Sequence, residues 1–352
     1  MMHCWDYNTD ITQKKEFENI YKTFWHFGIH KSEIQNNKDY VVLKIYDFEI
    51  VFYNDNGDII AFYNMCPHRG AKLMFSDESN SIYYGNSEIK CQYHHWIYKN
   101  SKLSIPSKVE FKDAEKLDLF KINIDFCGDF IFFSHNPSTT LNEQLGDYYD
   151  ELKNISQSIQ CFIGLNSPID YNCNWKIGIE NSLEAYHINY VHPCSLGILS
   201  IKDTPSYSKT NSKTNANIYN SKIYTKLEKV RNIFNKNNYI DNKYFSYHLF
   251  PFVIISSTFG YAYSIQNYFP NTPNKTHFIS RNYISKSKLN VEAFSKEVIN
   301  MNKTIFKEDA QVCNLIHGSK FLNGEFKYHY AKELEKRIIY FHNQYNKYME
   351  TE

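Results

Sequence analysis

The sequence predicts a mixed α+β fold, and three features of the chain support this prediction. Residues 40–65 and 119–134 alternate apolar and polar side chains, as half-buried strands do. Residues 291–317 and 327–349 carry apolar side chains at spacings of three and four, which predicts helices. The length of 352 residues is enough for about two domains.

The first part of the chain has the pattern of a small antiparallel β domain. Asn56-Gly57 separates two alternating runs, which is a strong signal for a hairpin. Cys127-Gly128 stands at the centre of a similar pattern. We therefore expect the core of an antiparallel β domain at about residues 40–135.

The domain organisation follows from these patterns. We expect an N-terminal domain over residues 1–145 and a second domain over residues 146–352. Residues 136–160 are polar and partly helical, which is typical of a linker between domains.

The second half of the chain predicts both helices and strands. Residues 174–190 carry helical apolar spacing, and residues 245–283 resemble strands. Residues 201–223 are rich in Ser, Thr, Asn and Lys, which predicts a long loop. Such a loop either covers a site as a lid or is a disordered surface insertion, and the sequence leaves both open.

The composition argues against two classes of partner. Lys and Arg total 39 against 38 Asp and Glu, so a nucleic acid, which requires a basic surface, is not expected. The most apolar stretch, Leu249 to Tyr263, contains several polar residues and predicts a buried strand rather than a membrane span. The polar N-terminal sequence lacks the apolar segment of a secretory signal, so we expect a cytoplasmic protein.

The eight cysteines form two groups. Cys66-x-His68 and Cys91-x-x-His94 place thiols and imidazoles at the spacing of metal ligands. We interpret the remaining six as structural or incidental thiols, since disulfides are rare in the cytoplasm. These six are Cys4, Cys127, Cys161, Cys173, Cys194 and Cys313.

Two chemistries fit a set of two cysteines and two histidines. One is a structural, tetrahedral zinc site. The other is a [2Fe–2S] cluster in which two thiolates bind one iron and two imidazoles bind the other. The spacing alone does not choose between them.

The flanking residues resemble the Rieske signature C-P-H-R-G … C-x-Y-H-x-W. Arg69-Gly70 follows the first histidine, Tyr93 and Trp96 flank the second, and KLSIP at residues 102–106 resembles the usual continuation. The resemblance implies a Rieske domain whose [2Fe–2S] cluster is held by four ligands. These ligands would be Cys66, His68, Cys91 and His94.

The chain departs from the Rieske pattern at two points. The gap between His68 and Cys91 is 22 residues, which is longer than usual, and we expect an extended hairpin around Ser76–Glu88 to absorb it. His95 stands where the family usually has glycine. Histidine is one of the residues that tolerate a positive φ, which would explain its presence. The alternative is that His95 competes with His94 as a ligand.

A second motif lies in NWKIGIENSLEAYHINYVHP, which contains His187-x4-His192. Two histidines and a carboxylate form the triad that holds non-haem Fe(II) and leaves open coordination positions. The segment resembles the N-W-K-x3-E-N-x2-[D/E]-x-Y-H-x4-H motif of the catalytic α subunit of Rieske non-haem iron oxygenases. The resemblance covers nearly the whole chain except residues 201–240. It implies a C-terminal helix-grip catalytic domain with a mononuclear Fe(II) bound by His187 and His192.

The resemblance places the third iron ligand at a Glu-Asp pair on a late helix. In this chain the pair is Glu308-Asp309, and we predict Asp309 as the ligand. Glu308 is the alternative, because neighbours on a helix point about 100° apart and cannot both face the iron. A solvated acidic helix face remains a further interpretation.

Glu184 and Asn181 are the candidate catalytic residues. Glu184 would lie one helical turn before His187, where a carboxylate can accept the imidazole N–H. In the family this residue also reaches a cluster histidine of the neighbouring subunit, here His94. Aspartate is commoner at this position, and glutamate occurs in members that act on choline or carnitine.

The resemblance implies an oxygenase that takes electrons from a separate reductase or ferredoxin. It would use O₂ to hydroxylate, dihydroxylate or dealkylate a small organic substrate, and it would form a homotrimer. The alternatives are a Rieske-fold electron-transfer protein and a non-catalytic zinc protein. We expect the substrate pocket to be lined by Phe250–Tyr268 and the 201–240 loop, whose aromatic residues would suit an arene or an ammonium group.

Overall fold

The computed structural model describes most of the chain. The described residues are 9–99, 102–113, 117–166, 168–199, 201–202, 204–218, 244–258, 260–286, 292–316 and 328–350, with single positions at 222, 225, 226 and 229. Cys4 and most of residues 219–240 of the predicted 201–240 loop lie outside this set.

The described residues of the first half form ten strands and four helical segments before residue 159. The strands are β1 (His26–His30), β2 (Asp39–Ile45), β3 (Phe48–Asp55), β4 (Asp58–Tyr63), β5 (Ile82–Asn86), β6 (Ile89–Lys90), β7 (Ile97–Lys99), β8 (Lys102–Ser104), β9 (Asn123–Cys127) and β10 (Phe130–Ser134). The helices are α1 (Asp10–Glu16), continued by a π-helical turn (Phe17–Tyr21), α2 (Leu141–Leu145) and α3 (Tyr149–Ser158). Short 3₁₀ turns lie at Lys31–Glu33, Lys108–Glu110 and Gly146–Tyr148.

These strands form three small antiparallel sheets, as the alternating patterns predicted. Their orders are β4-β3-β2-β5, β6-β7-β8 and β1-β10-β9. The hairpin at Asn56-Gly57 is confirmed, with positive φ values of 58° and 102° at the two turn residues. The hairpin at Gly128 is also confirmed, because β9 pairs with β10 around it. Both turns suit residues that accept the left-handed region.

The segment between the two Cys-His pairs differs from the prediction. Residues 76–88 do not form a hairpin of their own. Instead Ile82–Asn86 pairs with β2 as the edge strand of the four-stranded sheet, with Val41 opposite Tyr84. The extra length is therefore absorbed by adding a strand to a sheet that already exists.

The second half contains one large antiparallel sheet and its helices. The strands are β11 (Ile159–Leu165), β12 (Ile201–Lys202), β13 (Pro205–Ser208), β14 (Asn211–Ile218), β15 (Tyr244–Leu249), β16 (Val253–Thr258), β17 (Ala262–Thr272) and β18 (Lys275–Ser285). The helices are α4 (Trp175–Ser182), α5 (Ile188–Val191), a 3₁₀ turn at Leu196–Leu199, α6 (Glu292–Cys313) and α7 (Lys336–Met349).

The eight-stranded sheet has the order β11-β18-β17-β16-β15-β14-β12, and β13 also pairs with β14. Helix α6 packs against α4, α5, β11 and β18, so it brings its residues to the end of α4. This arrangement of small antiparallel sheets followed by a large sheet with helices confirms the predicted α+β fold class.

Three predictions need correction. Residues 205–218 are not a loop but two strands of the sheet, in which polar residues such as Asn211 and Thr214 are buried. Residues 136–160 are partly helical, as predicted, but they are more than a linker, because α2 and α3 pack into the core through Leu145 and Leu152, which are fully buried. The helix predicted over 174–190 ends at Ser182, and α5 begins only at Ile188.

Helix α4 is held at its N-terminal end by a buried ion pair. The ammonium of Lys176 contacts the carboxylate of Glu16 from α1, and both side chains are almost completely buried. Trp175 Nε1 donates to Glu16 at 3.0 Å, and the hydroxyl of Tyr345 from α7 donates to it at 2.5 Å. A buried charge is tolerated only when it is paired and hydrogen-bonded, so this contact fixes three helices together.

A second buried ion pair joins the small sheets to the large one. Arg281 of β18 lies 3.1 Å from the carboxylate of Glu33, and both side chains are inaccessible to solvent. The hydroxyls of Tyr84 and Tyr283 each donate to Glu33 at 2.6 Å. Arg281 also donates to the carbonyl of Gly28 at 2.9 Å. The two halves of the chain therefore share a polar core.

Among the helices that the structure describes, none has both the length and the apolar character needed to cross a membrane.

Two buried histidines predict a loss of stability in acid. Burial lowers the pKa of His26 from 6.5 to about 4 and that of His248 to about 3. His26 contacts the carbonyl oxygen of Tyr21 through Nε2 at 2.8 Å, while its Nδ1 has no partner among the described residues. Below the unfolded-state pKa, the unfolded chain binds protons that the folded chain cannot bind. The free energy of unfolding should therefore fall as the pH drops from 6.5 towards 4.

For His26, we expect a loss of about 2 kcal/mol between pH 6.5 and pH 5. His26→Phe should remove this contribution, so unfolding by urea at the two pH values would show a shallower pH dependence than in the unmodified protein. His329→Phe, at an exposed histidine, is the control and should leave the slope unchanged. An equally steep slope in His26→Phe would contradict the assignment.

Candidate functional site

The two Cys-His pairs lie on two short loops of similar shape. Cys66 follows β4, and its N–H donates to the carbonyl of Ala71 at 2.7 Å, while Gly70 N–H donates back to Cys66 at 2.9 Å. Cys91 follows β6, and its N–H donates to Trp96 at 2.9 Å. Each loop is thereby closed on itself and directs its thiol inwards.

The four predicted cluster ligands are brought together by these loops. Both thiols are buried, and burial together with the neighbouring Cys91 thiol raises the pKa of Cys66. The imidazole rings of His68 and His94 have their centres 4.7 Å apart, and Trp96 stacks on His68 with 4.7 Å between ring centres. Two neighbouring thiols and two neighbouring imidazoles on these loops match the ligand set of a Rieske cluster.

One buried nitrogen also fits a metal. His68 Nδ1 is buried and has no hydrogen-bond partner in the described part of the chain. A buried imidazole nitrogen without a partner is costly, and a metal bond would satisfy it. His94 is exposed on the outer side of the loop, so this end of the site faces the surface.

His95 takes the backbone conformation that the sequence suggested. Its φ is 58°, in the left-handed region where the family usually has glycine. The N–H of His95 donates to the carbonyl of Cys91 at 2.9 Å and closes the turn. The residue is thus accommodated without opening the loop.

Glu184 contacts His187, as predicted, but not through a helical turn. Residues 183–187 form an irregular turn between α4 and α5. One carboxylate oxygen of Glu184 accepts from the backbone N–H of Tyr186 and, at 3.0 Å, from that of His187, while the other contacts His187 Nδ1. The carboxylate therefore orients the imidazole and also holds the turn that carries it.

His192 ends α5 and is completely buried. Its carbonyl oxygen accepts from Gly197 N–H at 2.8 Å, and a Cβ at Gly197 would lie 2.6 Å from that oxygen. Only glycine permits this approach, so the chain packs its next turn tightly under the histidine.

Asp309 of α6 lies between the two histidines. Its Oδ1 is 2.9 Å from His192 Nε2 and 3.5 Å from His187 Nε2, and it accepts from Asn181 Nδ2 at 2.8 Å. One ligand atom from each of His187, His192 and Asp309 lies within 4.8 Å of the others. This convergence fits a metal ion held by a facial triad with open positions.

The protonation of the triad reflects these contacts. Burial alone would favour neutral imidazole, but the hydrogen bonds to Asp309 and Glu184 outweigh it and raise the pKa of His187 to about 9. The same balance raises the pKa of His192. Burial would raise the pKa of Asp309, but its hydrogen bonds with both histidines lower it. The site thus keeps its carboxylate ionised.

Glu308 has a position that the sequence did not predict. The carboxylate accepts from His192 Nδ1 at 2.7 Å and from the hydroxyl of Ser195 at 2.8 Å. The imidazole of His192 is therefore held between Glu308 and Asp309, one on each ring nitrogen. The Glu-Asp pair in the sequence pointed to this helix and offered Glu308 only as an alternative iron ligand. That Glu308 instead supports His192 could be seen only once the position of His192 was known.

A cavity of about 180 Å³ opens beside the triad. As predicted, residues from 250–268 line it, including Ile254, Ser256 and Gln266. Helix α6 forms the opposite wall, which was not predicted. Phe250 and Phe252 belong to the core instead and do not line the cavity. Within the described part of the predicted 201–240 loop, no residue lines it.

Comparison with known families matches both halves of the chain. Residues 24–110 match the Rieske [2Fe-2S] domain, and residues 161–351 match the family described as ring hydroxylating alpha subunit (catalytic domain). The second match alone covers more than half of the chain.

Several curated proteins are similar in sequence. The carnitine monooxygenase oxygenase subunit of Acinetobacter pittii is 27% identical over 195 residues, which are 53% of this chain and 51% of the relative. Choline monooxygenase of Beta vulgaris is 22% identical over 343 residues, 93% of this chain and 72% of the relative. The anthranilate 1,2-dioxygenase large subunit of Acinetobacter baylyi is 30% identical over 190 residues, which are 50% of this chain and 39% of the relative. The match to the carnitine enzymes spans about half of their length.

Two solved structures illustrate the similarity of fold. A quaternary ammonium Rieske monooxygenase in complex with L-carnitine superimposes with a TM-score of 0.79 at 19% identity, covering 99% of this chain and 95% of that one. Naphthalene 1,2-dioxygenase from Rhodococcus sp. bound to indole gives 0.72 at 17% identity, with coverage of 99% and 94%. With its [2Fe–2S] domain and its His-His-Asp mononuclear iron site, this chain belongs to the family of Rieske non-haem iron oxygenase α subunits.

Proposed function

We propose that the chain is the oxygenase component of a Rieske-type mono- or dioxygenase acting on a small organic molecule. The observation that carries this proposal is the combination of two different metal-ligand sets with a cavity beside the second. A Rieske electron carrier would need only the first set, and a zinc protein would need neither a cavity nor an exposed cluster histidine. The names of the relatives, which include carnitine, choline and anthranilate oxygenases, support the same reaction class.

We assign the ligands as the sequence predicted. The cluster ligands are Cys66, His68, Cys91 and His94. The iron ligands are His187, His192 and Asp309. When bound, the cluster and the mononuclear iron would together use electrons from an external donor to activate O₂.

The surrounding residues hold this site ready. Glu184 orients His187, and Glu308 orients His192, so both imidazoles present Nε2 towards Asp309. Asn181 donates to the Asp309 oxygen that also faces the histidines, which limits the rotation of this carboxylate. Holding ligands in this way raises metal affinity, because less freedom is lost on binding.

We also propose how the two sites cooperate. Glu184 contacts His187 on the ring nitrogen that faces away from Asp309, and its side chain is 10% exposed. His94 is exposed at the cluster loop. In a homotrimer, His94 of one copy would meet Glu184 of the next, and the carboxylate would link the electron entry site to His187. The electron donor would be a separate reductase or ferredoxin. The N-terminal domain would end at residue 145, and the catalytic domain would begin at residue 146.

Removing Asp309 should separate the two metal sites. We expect Asp309→Ala to lose the mononuclear iron and product formation, because only two ligands remain, while the visible spectrum of the cluster persists. Cys91→Ser is the reciprocal variant and should lose that spectrum. Iron analysis and absorption spectroscopy check both. Unchanged iron content in Asp309→Ala would exclude Asp309 as a ligand.

Glu184→Gln should retain both metal centres but block the transfer of electrons between them. The amide keeps the size of the side chain and removes its negative charge. In a single turnover of the reduced protein with substrate and O₂, cluster oxidation should be much slower than in the unmodified chain. A normal rate of cluster oxidation would remove Glu184 from the route.

Glu308→Ala should weaken iron binding by roughly 10- to 100-fold, since loss of a supporting carboxylate typically has this effect. Competition with a chelator measures the affinity, and the cluster spectrum monitors the fold. Glu297→Ala, at an exposed glutamate of the same helix, is the matched control and should bind iron normally. Equal affinity in Glu308→Ala and Glu297→Ala would show that His192 needs no second carboxylate.

A further inference from the structure

A row of polar side chains crosses the sheet at the wall of the cavity. Ser246 of β15 lies opposite Ser256 of β16, which lies opposite Ser264 of β17. On the next strand, Asn282 lies opposite Ser264. Directly opposed residues on antiparallel strands have Cβ atoms about 5 Å apart. The three serines all line the cavity, so their hydroxyls form a ladder of evenly spaced polar groups along one wall.

The hydroxyls of this row are available to a ligand. In the part of the chain that the structure describes, the side chains of Ser246 and Ser256 make no hydrogen bond. Ser264 Oγ accepts from Gln266 Nε2 at 2.5 Å, which leaves its own hydrogen free to donate. Serine hydroxyls both donate and accept, so the row can match several kinds of neutral polar group.

The facing wall adds an acceptor. Asn302 of α6 donates through Nδ2 to Asn282 Oδ1 at 2.6 Å. This bond fixes the amide and leaves its carbonyl oxygen for the cavity that Asn302 lines. The amide therefore continues the polar row from the sheet onto the helix.

The lining carries little charge that a ligand could use. Among the described lining residues there is no lysine or arginine, and the acidic ones are Glu184 and Asp309. Both carboxylates already contact the histidines of the triad. A ligand carboxylate would find no cationic side chain along the polar row, and a ligand ammonium would find no uncommitted carboxylate there.

The tyrosine and phenylalanine residues of the lining are Tyr244, Tyr261, Tyr263 and Phe306, and three of them pack against other side chains. Tyr261 packs edge-on against Phe294 with ring centres 5.2 Å apart. Tyr263 is 2% exposed, and its hydroxyl lies 3.1 Å from that of Ser158. Phe306 is 8% exposed and packs against Phe278 with ring centres 5.5 Å apart. The rings of Tyr263 and Phe306 therefore present no open face of the kind that binds a quaternary ammonium group.

We propose that this cavity takes a neutral substrate that carries at least two hydrogen-bonding groups. An apolar substrate would displace water from the serines and leave their hydroxyls unpaired, which buried polar groups resist. A site built to hydrogen-bond its substrate therefore rejects analogues that lack the matching groups. This inference rests on the proposed function, because it assumes that the cavity beside the triad is the substrate site.

The test uses four probes with one benzene ring and two substituents in meta positions. They are 3-hydroxybenzamide, 3-hydroxybenzoate, (3-hydroxyphenyl)trimethylammonium and m-xylene. Titration calorimetry on the protein loaded with both metal centres, without O₂, gives each Kd. We expect 3-hydroxybenzamide to bind at least about tenfold more tightly than each of the other three.

The double variant Ser246→Ala/Ser256→Ala should lose about tenfold or more in affinity for 3-hydroxybenzamide and none for m-xylene. Ser206→Ala, at an exposed serine outside the cavity, should bind all four probes as the unmodified protein does. The proposal is overturned if 3-hydroxybenzamide does not bind or if a charged or apolar probe binds as tightly. It is also overturned if the double variant binds 3-hydroxybenzamide with the affinity of the unmodified protein. Failure of the proposed function is distinct, because it would appear as absent iron or an absent cluster spectrum before any probe is added.

Discussion

The position of His192 between two consecutive carboxylates of one helix is the constraint on which the catalytic half depends. Adjacent residues on a helix point about 100° apart, so Glu308 and Asp309 diverge and leave room for one flat ring between them. The ring is completely buried and is contacted on both nitrogens. Its plane and its distance from α6 are therefore set together. His187 then needs only a turn held by Glu184 to complete the triad.

This constraint requires that α4 and α6 keep a fixed position relative to each other. Contacts with distant parts of the chain hold α4 in that position. The Glu16–Lys176 pair fixes the first turn of α4 to the N-terminal helix and, through Tyr345, to α7. The amide of Asn181, at the other end of α4, donates directly to Asp309. Both ends of this short helix are thus tied to other elements, and the ligands that follow it inherit that position.

The sequence predicted features that depend on neighbours along the chain. The period-two pattern gave the small sheets, Asn56-Gly57 gave a hairpin, and the short loops around Cys66 and Cys91 carry each pair of cluster ligands within a few residues. Asp309 was found because a resemblance connected it to a distant motif. In each case the relevant information is contained in a segment of fewer than about ten residues or in a family pattern.

The errors arose where distant contacts override local composition. The strand β14 buries polar residues such as Asn211, because the sheet and α2 supply partners for them, whereas polar composition ordinarily indicates a loop. Apolar spacing continued past Ser182 and predicted one helix, although the Glu184 carboxylate stabilises a turn instead. The support that Glu308 gives His192 joins residues 116 positions apart, which no periodicity can reveal.

The polar core around Glu33 and Arg281 has a mechanical consequence. Separating the cluster-bearing half from the oxygenating half would expose a fully buried ion pair and strip the Tyr283 hydroxyl of its acceptor, so hinge motion between them is strongly disfavoured. Each copy of the chain should behave as one rigid body. In the homotrimer that we propose, any adjustment of the electron path would then come from how whole copies meet, rather than from bending within one of them.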